Sequence, residues 1–307
     1  MSSPEASLGV SVFGLGRMGS ALADALLEKS FKLTVWNRTR DKSARFVGSG
    51  ASVAASPEAA AKASGLLVIC LSDYAAIQNA FMTREVGDAI RGKTVVSLCS
   101  ASSSEIKDLS QWIGRKGADF LSGTILVYPD DIRLGKGTVL YGGPRKVFDA
   151  NYPALEAMGG RPVLASEDIE AADWIGGAYG HVLYSTLFGF INGAAMCHRF
   201  GISPVFLWQK IIEPTLRDAP IPGMIERLAF ASETRKYDGD VQASLNVWNG
   251  SLSTMVADMR TYGFDADVLH AVKCSLDRAV EQGFGEMDLA SVFEVLIADK
   301  RKAELAR

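Results

Sequence analysis

The hydrophobic pattern of the chain changes character near Ser166. Before it, short apolar runs alternate with stretches whose apolar residues recur at helical spacing. The runs "GVSVFGL" (9–15), "KLTVWN" (32–37), "GLLVICL" (65–71), "KTVVSLC" (93–99), "ADFLSGTIL" (118–126) and "KGTVLYGG" (136–143) predict strands. The third is almost unbroken, as in a strand covered on both faces. Between them "GSALADALLEKS", "SPEAAAKA", "AAIQNAFM" and "SSEIKDLSQWIGRKG" predict helices, and "VFDANYPALEAMG" predicts another after the last strand. Ser56 and Pro57 supply an N-cap and a first-turn proline. This β-α-β alternation predicts an α/β fold built on a parallel, doubly wound sheet.

After Ser166 only helical patterns remain. A long one runs from about Ile169 to Phe200. It is followed by "PVFLWQKIIEPTL", "GMIERLAFAS", "SLNVWNGSLSTMVADMRTYG", "DADVLHAVKCSLDRAVEQG" and "DLASVFEVLIAD". The expected organisation is a Rossmann domain over residues 1–166, an interdomain helix over 167–200 and an all-helical domain over 201–307.

Composition narrows the function. A chain of 307 residues, 48% hydrophobic, can bury two cores. A net charge of −3 gives no electrostatic support for nucleic-acid binding. Cys70, Cys99, Cys197 and Cys274 are far apart and read as thiols of a reducing compartment. His181, His198 and His270 have no metal-site spacing, so no metal is expected. The N-terminal "MSSPEASLG" lacks a basic region and a cleavable apolar stretch, so a cytoplasmic protein is expected. From Trp174 to His198 there is no Asp, Glu, Lys or Arg. That length could span a bilayer, but Gly176, Gly177, Gly180, Gly189 and Gly193 dilute it and His181 and Asn192 interrupt it. The pattern predicts a helix buried all round, in a core or between two subunits, and no membrane segment.

The candidate chemistry starts at Gly14-Leu15-Gly16-Arg17-Met18-Gly19, a G-x-G-x-x-G string between a strand and a helix. The first glycine permits the tight turn, the second lets backbone approach a pyrophosphate, and the third lets helix and strand pack closely. The helix N-terminus beyond offers free N–H groups to phosphate. At the end of the next strand, where an NAD site carries Asp or Glu, stand Asn37, Arg38, Thr39 and Lys42. A carboxylate would repel a 2′-phosphate, whereas Arg38 can grip it with two charge-assisted bonds and Thr39 can add a hydroxyl. The cofactor expected is NADPH.

With these motifs the chain resembles the imine reductases, or reductive aminases, relatives of the β-hydroxyacid dehydrogenases. The similarity rests on "FGLGRMGSALA", "TVWNRT", "VICLSD" and "TVVSL", on "LYSTLFGFINGAA", and on "YDGDVQASLNVWNGSL" and "GFGEMDLASVFEVL". The resemblance implies NADPH-dependent reduction of a C=N bond in a small-molecule imine. It implies a domain-swapped homodimer, with each site between one subunit's Rossmann domain and the other's helices. It adds Leu71, Ser72 and Ser100 to the cofactor contacts. At the place where the dehydrogenases carry lysine and many imine reductases carry Asp, this chain has Gly176. The tyrosine that some members carry further along is matched by Tyr184, and the family's Asn-x-Thr becomes Ser100-Ala101-Ser102.

Hydride transfer to a preformed iminium ion needs no proton donor, whereas a ketone does. The missing lysine therefore weighs against carbonyl reduction. Tyr184, Asp173 and Tyr179 are the candidate catalytic residues. Helical spacing puts 173, 176, 180 and 184 on one face. Tyr128, Gly176, Trp208 and Trp248 are candidate substrate contacts, and Gly176 with Gly177 leaves room for a bulky cyclic imine. Two other functions fit the residues: a carbonyl reductase of β-hydroxyacid dehydrogenase type, and an NADP-binding paralogue without catalysis.

Overall fold

The structure is a computed structural model describing residues 9–218, 220–239 and 241–298. The stretch read above for targeting lies, apart from Gly9, outside the described residues. The chain divides into two compact units between Leu183 and Tyr184.

The first unit is built on an eight-stranded sheet in the order β3-β2-β1-β4-β5-β6-β7-β8. Its strands are β1 (Val10–Phe13), β2 (Leu33–Trp36), β3 (Ser52–Val53), β4 (Leu66–Ile69), β5 (Thr94–Ser97), β6 (Asp119–Ile125), β7 (Gly137–Gly142) and β8 (Gly160–Ser166). The helices are α1 (Arg17–Glu28), α2 (Asp41–Ala44), α3 (Pro57–Ala63), α4 (Tyr74–Ala80), α5 (Arg84–Ala89), α6 (Ser103–Arg115), α7 (Pro129–Arg133) and α8 (Arg145–Ala157). Strand alternation sorts the core onto the two faces of the sheet. Val10, Val12, Leu66, Val68, Val96 and Leu121 pack on one side with Leu22 and Leu26 of α1. Phe13, Leu67, Ile69, Val95 and Phe120 pack on the other with Ile77, Ile106 and Leu109. The predicted cap at Ser56 forms, accepting from Ala59 N–H, and Ser102 with Glu105 makes a capping box at α6.

The sheet corrects the expectation of a wholly parallel one. β1 to β6 are parallel, but β7 runs antiparallel to β6, and β8 follows β7 in parallel. Only residues 126–136, with the short α7, link β6 to β7. A parallel return needs a longer crossover. Two strands escaped the pattern. β3 has two exposed residues, and β8 contains Pro162, which only an edge strand tolerates.

The long helix α9 (Ala171–Arg199) starts in the first unit and ends in the second. It is not buried in a core of its own chain, which corrects that part of the expectation. Trp174 is 70% exposed, Tyr184 66% and Phe188 56%, and only Ala172 and Ala194 of this helix are buried. Its apolar side chains have few neighbours within the chain to cover them. Among the described residues no helix is long and apolar enough to cross a membrane.

The second unit continues with α10 (Pro204–Leu207), a π-helical turn (Trp208–Ile212), α11 (Glu213–Arg217), α12 (Pro220–Thr234), α13 (Leu245–Thr261), α14 (Asp267–Ala279) and α15 (Val292–Ile297). Its cores are small. Leu245, Leu276, Ala279 and Val295 form one, and Val256, Met259 and Ala266 form the other.

Candidate active site

The glycine string occupies the turn between β1 and α1. Gly14 has φ +100°, and a Cβ there would lie 2.3 Å from the Cys70 carbonyl oxygen. A Cβ on Gly19 would lie 2.0 Å from the Gly14 oxygen, so helix and turn meet at backbone distance. Gly16 differs: nothing lies within 4 Å of its Cβ direction, and it stands at the N-cap of α1. No side chain caps α1 and its first turn holds no acid, so its leading N–H groups and positive dipole end suit phosphate.

Asn37 braces this turn. Its Oδ1 accepts from Leu15 N–H at 2.9 Å, and its Nδ2 donates to the Thr39 carbonyl at 2.8 Å. The bond ties the glycine turn to the loop carrying Arg38 and Thr39. A cavity of about 480 Å³ lies between them, bordered by Gly14, Gly16, Arg17, Arg38, Thr39 and Lys42. Pro57, Ala76 and Ala80 give it an apolar edge. Ser72 also borders it and donates to Asp73 at 2.8 Å. The Asp73 carboxyl sits below its ordinary range, chiefly through the Ala76 N–H bond and then through Ser72. A cradle closed to a Cβ at Gly14, open at Gly16 and cationic at its far end fits a phosphorylated dinucleotide.

A second cavity, of about 470 Å³, shares Met18, Cys70, Leu71 and Ser72 with the first. It lies at the carboxyl ends of β4, β5 and β6, where ligands of open α/β sheets bind. Ser100, Thr124, Asp173 and Gly176 border it. Thr124 Oγ1 donates to Asp173 Oδ1 at 2.9 Å, and Ser122 Oγ makes a longer contact of 3.5 Å with Oδ2. The Asp173 carboxyl is raised from its ordinary value, chiefly by burial; the two hydroxyls oppose the rise and Glu170 adds to it. Burial pushes the Cys70 thiol up to about 12 and the Cys99 thiol up to about 11, so neither is a ready nucleophile.

The other predicted site residues are dispersed. Ser100 borders the second cavity, but Ser102 spends its hydroxyl on capping α6. Tyr128 is 74% exposed beside α7. Tyr179 belongs to the first unit and Tyr184 to the second, both with exposed rings. In the second unit Trp208 stands edge-on to Phe190, and Trp248 packs on the core of Leu245 and Leu276. Among the described residues no cluster of three His, Cys, Asp or Glu could hold a metal. Thr124 and Ser122 escaped the sequence reading. Their signal is the i, i+2 pair of hydroxyls in "LSGTIL", which strand periodicity puts on one face.

Fold and site together define a dinucleotide-dependent oxidoreductase of Rossmann type. Residues 9–175 match the family of the NAD binding domain of 6-phosphogluconate dehydrogenase, and residues 177–298 match the NADPH-dependent reductive aminase-like C-terminal domain. The NADPH-dependent reductive aminase of Aspergillus oryzae is 24% identical over 291 residues, covering 93% of this chain and 96% of its own. The imine reductase of Myxococcus stipitatus in complex with NADP+ has a TM-score of 0.85 at 28% identity, covering 94% of this chain and 99% of that one. The reductive aminase of Aspergillus terreus in complex with NADPH and ethyl levulinate has a TM-score of 0.82 at 28% identity, with the same coverage of both chains. The chain belongs to the family of NADPH-dependent imine reductases and reductive aminases.

Proposed function

We propose that this protein reduces the C=N bond of a cyclic imine or iminium ion to an amine with NADPH. The observation that carries the reading is the run of two cavities that share a wall. One is cationic at its Arg38 end, and the other ends on the carboxyl of Asp173. When bound, NADPH supplies the hydride. The N–H groups at the head of α1 would hold its pyrophosphate, and Arg38, Thr39 and Lys42 its 2′-phosphate. Leu71 and Ser72 would line the passage between the two cavities, with Ser100 beside the reacting ring.

Of the three polar side chains of α9 singled out by the sequence, Asp173 borders the second cavity and is assigned to the substrate; Tyr179 and Tyr184 do not border it. Gly177 borders the second cavity and a Cβ there would meet nothing within 4 Å, which supports a bulky ring as substrate, whereas the space expected at Gly176 is taken up by the Thr124 methyl. Homodimer formation belongs to the proposal, because the uncharged apolar residues of α9 lie exposed in the single chain. So does a cytoplasmic setting, which four free cysteines support.

A panel of cyclic imines of increasing size, assayed by NADPH consumption and by mass of the amine formed, tests the reading. The expected result is amine formation with polycyclic imines favoured. Faster turnover of the smallest ring would remove the size argument, and no amine from any imine would remove the function.

A further inference from the structure

Asp173 is the one carboxylate among the described residues bordering the second cavity. Two of its neighbours there are sterically matched. Thr124 turns its hydroxyl to Asp173, and its Cγ2 fills the space that a side chain at 176 would need. A Cβ on Gly176 would lie 2.6 Å from that methyl. The absence of a side chain at 176 is therefore what lets Thr124 reach the carboxyl one helical turn earlier.

Resting on the imine-reductase reading, we propose that Asp173 is the proton donor to the substrate nitrogen and that Thr124 is the residue that positions it. The imine nitrogen takes the proton of the Asp173 carboxyl while the imine carbon takes the hydride pair. The C=N bond becomes CH–NH, and Asp173 is left as carboxylate, to be reprotonated from water. A substrate already cationic at nitrogen draws on the charge of Asp173 and needs no proton from it.

The surroundings of Asp173 suit this role. Its raised carboxyl keeps a proton at higher pH than a solvated aspartate does. In the turn just before its helix Glu170 is the charge that acts on it, and Glu170 is paired at 2.8 Å with Lys107 of α6. Strand β6 contributes only the hydroxyls of Ser122 and Thr124. The ends of β4 and β5 contribute the thiols of Cys70 and Cys99, which burial keeps neutral.

The test follows NADPH oxidation with a cyclic imine that is largely neutral at the assay pH and with its permanently charged N-methyl iminium counterpart. Wild type, Asp173→Asn and Thr124→Val are compared. Asp173→Asn is expected to lower kcat on the neutral imine by roughly 100-fold or more, the scale of general-acid catalysis. Its kcat on the iminium stays near the wild-type value while KM rises. Thr124→Val removes a donor to the carboxylate, so the proton is held more tightly. The basic limb of its pH profile is expected to move to higher pH with the imine, with no such movement for the iminium. Equal losses on both substrates in Asp173→Asn, no loss on either, or an unmoved limb in Thr124→Val would overturn the assignment. Should Asp173→Asn fail to bind NADPH as a folded protein, the Thr124→Val limb decides alone. Wild type inactive on both substrates would overturn the imine-reductase reading itself.

Discussion

A Cβ at position 176 has Thr124 Cγ2 as its nearest obstacle, at 2.6 Å, whereas a Cβ at the adjoining Gly177 meets nothing within 4 Å. The two glycines of one helix therefore answer differently to the same change. Replacing glycine by alanine inside a helix is favourable by about 1 kcal/mol, and overpacking costs about 1–3 kcal/mol. Gly177→Ala is expected to raise stability in urea melts, and Gly176→Ala to lower it. Adding Thr124→Ser removes the obstructing methyl and keeps the hydroxyl, so the double variant recovers most of the loss. Additive effects in that cycle would mean that the two positions do not touch. Arg38 is a separate case at this scale. A charge-assisted bond contributes about 1.5–3 kcal/mol, so Arg38→Ala is expected to raise the KM for NADPH by roughly 10–100-fold and to leave that for NADH nearly unchanged. Equal rises for both cofactors would remove the 2′-phosphate role.

Elements were legible where local chemistry is strong. The cap of α3 at Ser56, the capping-box helix from Ser103, and the strands of the sheet centre each combine a periodic apolar pattern with a stop signal. Ser102→Ala is expected to cost about 1 kcal/mol, read as a lower thermal midpoint; an unchanged midpoint would mean that the capping box adds nothing to α6. The reversal of β7 and β8 was not legible, because strand direction depends on loop length and pairing and leaves no mark on the apolar pattern. β8 was hidden by Pro162. In the site, the glycine motif and the cationic loop could be read because both are contiguous in sequence. The Thr124–Asp173 bond could not, because it joins residues 49 positions apart. Asn37 was read as a cofactor contact, and its bond to Leu15 N–H adds a bracing role that only the fold brings together.

At the scale of the molecule, the exposed apolar residues of α9 are an unmet demand for burial. Trp174, Phe188 and Ile191 are each more than half exposed in the single chain, and patches of this kind mark interaction surfaces. Sedimentation is expected to give a dimer, and Phe188→Asp with Ile191→Asp a monomer that still binds NADPH. A wild-type monomer would contradict that assignment. The central claim concerns the bond that is reduced. The deciding measurement gives the enzyme NADPH with a cyclic imine and, separately, with the ketone of the same carbon skeleton and no amine present. NADPH consumption is followed and the products are weighed. Amine from the imine and no alcohol from the ketone are expected, since the Asp173 carboxyl can protonate a basic imine nitrogen but not the far less basic ketone oxygen, and among the described residues no lysine or other cation borders the second cavity to hold an alkoxide. Alcohol from the ketone, with the imine left unreduced, would contradict it.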